Sequence, residues 1–114
     1  MSKKWREMGR KKREILDILV AKYPRAFFPS GSLDTKPLRI GIFTLITGQN
    51  PEISRTMISL ALQHYTMKDR YLRALATCSG RVDLDGNIYE EILPTHRDFA
   101  IELLMERQDK KLAA

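Results

Sequence analysis

At 114 residues, with 43% apolar and 30% charged side chains, the chain has room for one hydrophobic core but not for a catalytic domain joined to a separate binding domain. Its apolar runs are only a few residues long, which excludes a transmembrane helix, and no apolar stretch follows the basic N-terminus, so a secretory signal is not expected. The net charge of +6 is unevenly spread, with +5 on residues 1–14, +5 on residues 15–81 and −4 on residues 82–114; this polarity suits a polyanion held by one side of the domain, although charge serving only solubility is the simpler alternative.

Residues 1–12 are polar, basic and interrupted by Gly9, which reads as a flexible arm leading into the domain. Ile15, Leu16, Ile18, Leu19, Val20 and Tyr23 then form a helical stripe that ends at Pro24. Three prolines and Gly31 between residues 24 and 37 mark an irregular loop, pinned to the core by Phe27 and Phe28. Residues 38–47 are rich in β-branched and aromatic side chains, and periodicity alone leaves strand and helix both open.

After the break at residues 48–51, residues 54–65 read as an amphipathic helix with Ile58, Ala61, Leu62 and Tyr65 on one face, followed by a short helical turn at residues 68–75. Val82, Leu84 and Ile88 flank Asp85-Gly86, a two-residue hairpin signal in which Gly supplies a positive φ. Thr95, with Asp98 three residues on, suggests a capping box for a last helix that turns Phe99, Leu103 and Leu104 inward. Residues 109–114 read as a tail.

Marks of catalysis are missing. His64 and His96 stand far apart with no paired Cys or carboxylate at zinc spacing, no Gly-rich phosphate loop is present, and no Ser-His or Cys-His arrangement is suggested. Each histidine reads as an ordinary satisfied side chain. Asp83 and Asp85 suit local backbone hydrogen bonds at the turn, and Glu90 and Glu91 a solvated strand end. The lone Cys78 cannot form an internal disulfide and reads as a small side chain in a partly buried loop, in keeping with a reducing, cytoplasmic setting.

Two constellations suit nucleic acid. The helix beginning at Ser54 has Ser-Arg-Thr-Met in its first turn and no carboxylate there, so Ser54, Arg55 and Thr56 offer unpaired N–H donors and positive charge to a phosphate; the plainer alternative is an N-cap beside a solvated arginine. The second constellation comprises Arg39, Tyr65, Thr66, Arg70, Tyr71, Arg73 and Arg81. Arginine forks onto phosphate, and tyrosine stacks on a base or donates through its hydroxyl. Tyr65 and Tyr71 equally suit core aromatics, and Arg81, expected at a partly exposed strand start, equally suits an edge-strand charge.

Three blocks carry a family resemblance: Lys36-Pro37-Leu38-Arg39-Ile40-Gly41-Ile42-Phe43; Tyr65-Thr66 with Arg70-Tyr71-Leu72; and Gly80-Arg81-Val82-Asp83-Leu84-Asp85-Gly86-Asn87. In order and spacing they resemble the ProQ/FinO family of bacterial RNA chaperones over residues 13–108. The resemblance implies an α+β, mainly helical single domain with one small β-hairpin, in which residues 38–47 are a short helix. It also implies that the start of the helix at Ser54 contacts the backbone at the base of an RNA hairpin, and that Tyr71 and Arg81, side by side, help to form a pocket for the 3′-terminal nucleotides of a transcription terminator. Lys36, Arg39, Tyr65, Thr66 and Arg70 join the same RNA-binding set. Ser59 and Gln63 depart from the pattern, standing where many relatives carry Arg or Lys.

The expected function is therefore binding of structured RNA, namely intrinsic-terminator hairpins with a single-stranded 3′ tail, by a non-enzymatic monomer without cofactor or metal that acts on small RNAs and mRNA 3′ ends in post-transcriptional regulation. The long basic linker and second domain of some relatives are not expected. A protein-interaction adaptor using the acidic last helix, or a helix-turn-helix DNA binder, are the alternative readings.

Overall fold

The computed structural model describes residues 2–113 and contains five helices and one two-stranded antiparallel sheet: α1 (Lys3–Lys22), α2 (Ile42–Gln49), α3 (Arg55–Thr66), α4 (Asp69–Thr77), β1 (Arg81–Val82), β2 (Ile88–Glu90) and α5 (Pro94–Ala113). The α+β, mainly helical architecture with one hairpin is as expected. Met1 and Ala114, at the outer ends of the expected arm and tail, lie outside the described residues. No helix among the described residues is long and apolar enough to cross a membrane.

α1 begins ten residues ahead of the expected domain boundary at residue 13. The Ser2 side chain accepts a hydrogen bond from the Trp5 N–H at 3.4 Å and starts the helix at Lys3. Lys, Arg, Glu and Met are good helix formers, and a lone Gly9, costing about 1 kcal/mol against Ala, does not break so long a run. From Lys3 onward the expected arm is therefore the first half of a helix. Ile15 and Leu19 are its buried residues, while Ile18 faces solvent. At the other end of the chain, α5 continues as a helix through residues 109–113, which were expected to be a tail.

The core is built where α1 packs on α3, α3 on α2 and α4, and α4 on α5. Ile58, Ala61, Leu62 and Tyr65 are the buried face of α3, as the spacing implied. Fully buried Phe27 anchors the loop between α1 and α2, and its ring lies 5.1 Å from Tyr65, which lies 5.8 Å edge-on from Tyr71. Phe28 is only half-buried. At the far end of α2, fully buried Asn50 donates to Tyr23 Oη and the Ile46 carbonyl and accepts from Lys22 Nζ, binding the C-termini of α1 and α2 together.

Three local expectations need correction. The hairpin turn is a three-residue loop: the Asp83 carbonyl accepts from Gly86 N–H, Asp83 N–H donates to the Asn87 carbonyl, and only Gly86 (φ 83°) has positive φ, so Asp85 keeps an ordinary backbone. Gly86 is required twice over, since a Cβ there would lie 2.6 Å from Arg25 Cβ. Second, α5 starts at Pro94, a residue suited to the first helical position, which puts Thr95 inside the first turn instead of ahead of it. Its inward face then centres on Ala100, with Leu103 and Leu104 half-buried beside it and Phe99 exposed. Third, Glu90 is not merely solvated, because its Oε1 accepts from the Ile40 N–H at 2.7 Å.

Candidate nucleic-acid interface

The loop between α1 and α2 has few backbone bonds of its own, and two tyrosines from the helical core supply partners near its two ends. Tyr65 Oη accepts from the Phe28 N–H at 3.1 Å, and Tyr71 Oη accepts from the Leu38 N–H at 3.0 Å. Both rings are buried. Burial pushes both phenols above their usual pKa, so each hydroxyl stays protonated, with a hydrogen still to donate. Tyr65 and Tyr71 are core aromatics as well as candidate ligands.

Leu38 is where Tyr71 and Arg81 meet. Its N–H goes to Tyr71, and its carbonyl accepts from Arg81 Nη1 at 2.8 Å. Leu38 also pairs in parallel with Val82, which gives β1 a neighbour on each side. Arg81 is consequently buried, with Nη2 on His96 Nδ1 at 3.1 Å, and is neither a partly exposed strand start nor an edge-strand charge. Among the described residues its Nε is the one buried side-chain nitrogen or oxygen without a hydrogen-bond partner. The two residues expected side by side are together, but Arg81 is largely occupied in holding Leu38.

Tyr65, Arg70 and Tyr71 line a cavity of about 280 Å³ between α1, the loop at residues 28–35, and the junction of α3 and α4. Leu16, Val20, Phe28 and the two tyrosines form an apolar wall, and Arg13, His64, Lys68 and Arg70 place cationic or titratable groups around it, with Asp17 as the carboxylate in the lining. His64 is held below the usual histidine pKa, first by desolvation and then by repulsion from Lys68, Lys12 and Arg13. Positive charge thus accumulates without a matching number of anions. An aromatic wall with a cationic rim can receive a base and its phosphate.

Arg13 and Lys68 were not picked out from the sequence; Arg13 sits at the very edge of the expected domain, just ahead of the helical stripe read from Ile15. The spacing of Arg13, Leu16, Asp17 and Val20 is one helix face, and extending α1 by one turn would have found it.

The other expected residues lie elsewhere. Ser54 caps α3 by accepting from the Met57 N–H at 3.3 Å, and the first turn of α3 holds no acidic residue. Arg55 and Thr56 are exposed there, with the Arg55 guanidinium 5.6 Å from the Phe43 ring. Ser54 and the cavity residues are separated by most of α3, roughly 16 Å at 1.5 Å per residue. Thr66 closes the C-terminal end of α3 by donating to the Gln63 carbonyl. Lys36 is exposed on the loop, and Arg73, Ser59 and Gln63 are exposed on their helices. Arg39 lies over the ring of Tyr89, a residue not picked out from the sequence.

Comparison with known proteins agrees with the fold. The model of the ProQ/FINO family matches residues 10–114. The chain is 38% identical over 102 residues to the RNA chaperone ProQ of Shewanella frigidimarina, covering 87% of this chain and 49% of that protein. It is 37% identical over 105 residues to the RNA chaperone ProQ of Aeromonas salmonicida, covering 90% and 49%. It therefore spans about half the length of the curated relatives it matches. Among solved structures, a ProQ homologue from Legionella pneumophila superposes with a TM-score of 0.70 at 29% identity, covering 85% of this chain and 83% of the other. A FinO-like RNA chaperone from Neisseria meningitidis superposes at 0.66 and 26% identity, covering 81% and 92%. With the family model spanning both the cavity and the start of α3, the chain belongs to the ProQ/FinO family.

Proposed function

We propose that this domain is a non-catalytic RNA chaperone that binds, as a monomer, an intrinsic-terminator hairpin with a single-stranded 3′ tail, and so stabilises small RNAs and mRNA 3′ ends and promotes their pairing. The observation that carries this reading is the placement of two different anion-receptive features at the two ends of α3. The capped, carboxylate-free start with Arg55 suits a duplex phosphate, and the aromatic-walled, cation-rimmed cavity suits an unpaired nucleotide. One RNA reaching both must bridge roughly 16 Å, about five nucleotides of a stacked strand. A blunt duplex offers no unpaired base for the cavity, and an unstructured strand offers no fixed pair of sites.

Binding titrations with a blunt hairpin and the same hairpin bearing tails of increasing length test this. Affinity is expected to rise with tail length and level off at about five nucleotides. Arg55→Ala should weaken both RNAs alike by roughly 10- to 100-fold, the loss of one charge-assisted hydrogen bond, whereas Arg70→Ala should weaken only the tailed one. Equal effects of the two substitutions on both RNAs, or equal affinity for duplex DNA of the same sequence, would overturn the reading.

A further inference from the structure

Tyr89 stands on β2 with its ring about half exposed (52%), and the Arg39 guanidinium carbon lies 3.8 Å from the ring centroid. A surface arginine ordinarily samples many rotamers. Here the stack is bonded in place from both sides. Arg39 Nε donates to the Ile40 carbonyl at 3.3 Å, and the Arg39 N–H donates to the Val82 carbonyl at 2.8 Å. The next N–H, that of Ile40, reaches the carboxylate of Glu90, the residue following Tyr89. The loop carrying the cation and the strand carrying the ring are thus fastened together immediately beside the stack.

We propose that Arg39 and Tyr89 form a stacking platform for one unpaired base of the bound RNA, outside the cavity. An arginine plane and an aromatic ring are both surfaces on which unpaired bases stack, and a fixed pair loses little entropy when it does so. The neighbouring Glu90 and Glu91 make the site a poor one for a bare phosphate, which favours contact through a base. Arg39 directly follows Leu38, the residue bonded by the cavity tyrosine Tyr71. A strand whose end enters the cavity therefore has this platform on the adjoining segment. The proposal rests on the reading that the domain holds an RNA end, and it adds a residue, Tyr89, that would select for an unpaired base at one position.

The test uses the full chain and a hairpin whose tail carries 2-aminopurine at one position at a time. One tail position is expected to be quenched by Tyr89 on binding. Tyr89→Ala and Tyr89→Leu should abolish that quench and weaken the tailed hairpin by about tenfold, while Tyr89→Phe, which keeps the π face, retains both. An abasic nucleotide at that position should bind wild type and Tyr89→Ala equally. Unchanged RNA affinity in Tyr89→Ala, or the same loss on the abasic RNA, overturns the platform and leaves the pair to a protein contact or a fold role. If the tail preference of wild type persists in that case, only the platform fails; if wild type shows no tail preference, the RNA-end reading fails with it. Melting curves confirm that the exposed Tyr89 can be replaced without unfolding.

Discussion

At the scale of single residues, the Tyr71 hydroxyl makes one structural bond and has a hydrogen to spare. The oxygen accepts the buried Leu38 N–H, while the hydrogen remains for a ligand. Tyr71→Phe keeps the ring but leaves that N–H without a partner, a cost of about 1–3 kcal/mol. The expected outcome is a melting temperature lower by several degrees, together with weaker binding of tailed RNA at a temperature where both proteins are folded. A variant with unchanged melting would show that the Leu38 N–H finds another partner. The core-aromatic and ligand readings of Tyr71 do not exclude each other, because the ring packs in the core while the hydroxyl oxygen bonds Leu38 and leaves its hydrogen free. Arg81 repeats the pattern, and its truncation would remove the donor to the Leu38 carbonyl along with any contact to RNA.

At the scale of elements, α4 is held at both ends by arginines from α5. Arg107 bonds the Met67 carbonyl and Asp69 at the start of α4, and Arg97 bonds the Ala76 and Cys78 carbonyls at its end. A cation at a helix C-terminus answers both the unpaired carbonyls and the negative end of the dipole. Since α4 carries Arg70 and Tyr71 into the cavity, this clasp fixes the site from behind. Arg97→Ala is expected to destabilise the domain by about 2–3 kcal/mol through two lost charge-assisted bonds, and Arg97→Lys by nearly as much because a single ammonium does not fork. Chemical denaturation reads both, and a loss below about 0.5 kcal/mol for the alanine variant would show that the clasp is idle. Nothing in the sequence marked Arg97 or Arg107, since their partners are backbone carbonyls and a carboxylate 19 to 40 positions away. α3 was legible, because its buried face follows from apolar spacing and the Ser54 cap from its position, whereas periodicity left α2 open between strand and helix and only the family resemblance made it a helix.

At the scale of the molecule, the domain is a slab of 41 × 40 × 21 Å. The first turns of α1 carry Lys3, Lys4 and Arg6, all exposed, beside the exposed Trp5. Removing residues 1–8 leaves Arg13 at the cavity and takes away three cations. Affinity should fall to a similar degree for all RNAs, and the dependence of log K on log salt should become shallower by roughly 2–3 units, at about 0.7–0.9 per phosphate contact. Preference for tailed over blunt hairpins should survive. A truncated protein that lost this preference would show that the helical extension reads RNA structure.

Sequence by itself determined the buried face of α3, the need for glycine at Gly86, the basic polarity and the family-bearing blocks, because each is written in spacing or composition within a few neighbouring residues. Only the tertiary structure decided that residues 3–13 continue α1, that Arg81 is buried behind Leu38, that the cavity draws on Arg13 and Lys68, and that Arg39 lies over Tyr89. These depend on which distant segments pack together. The parallel pairing of Leu38 with Val82 turns β1 from an edge into an interior strand, and no local pattern in either segment announces it.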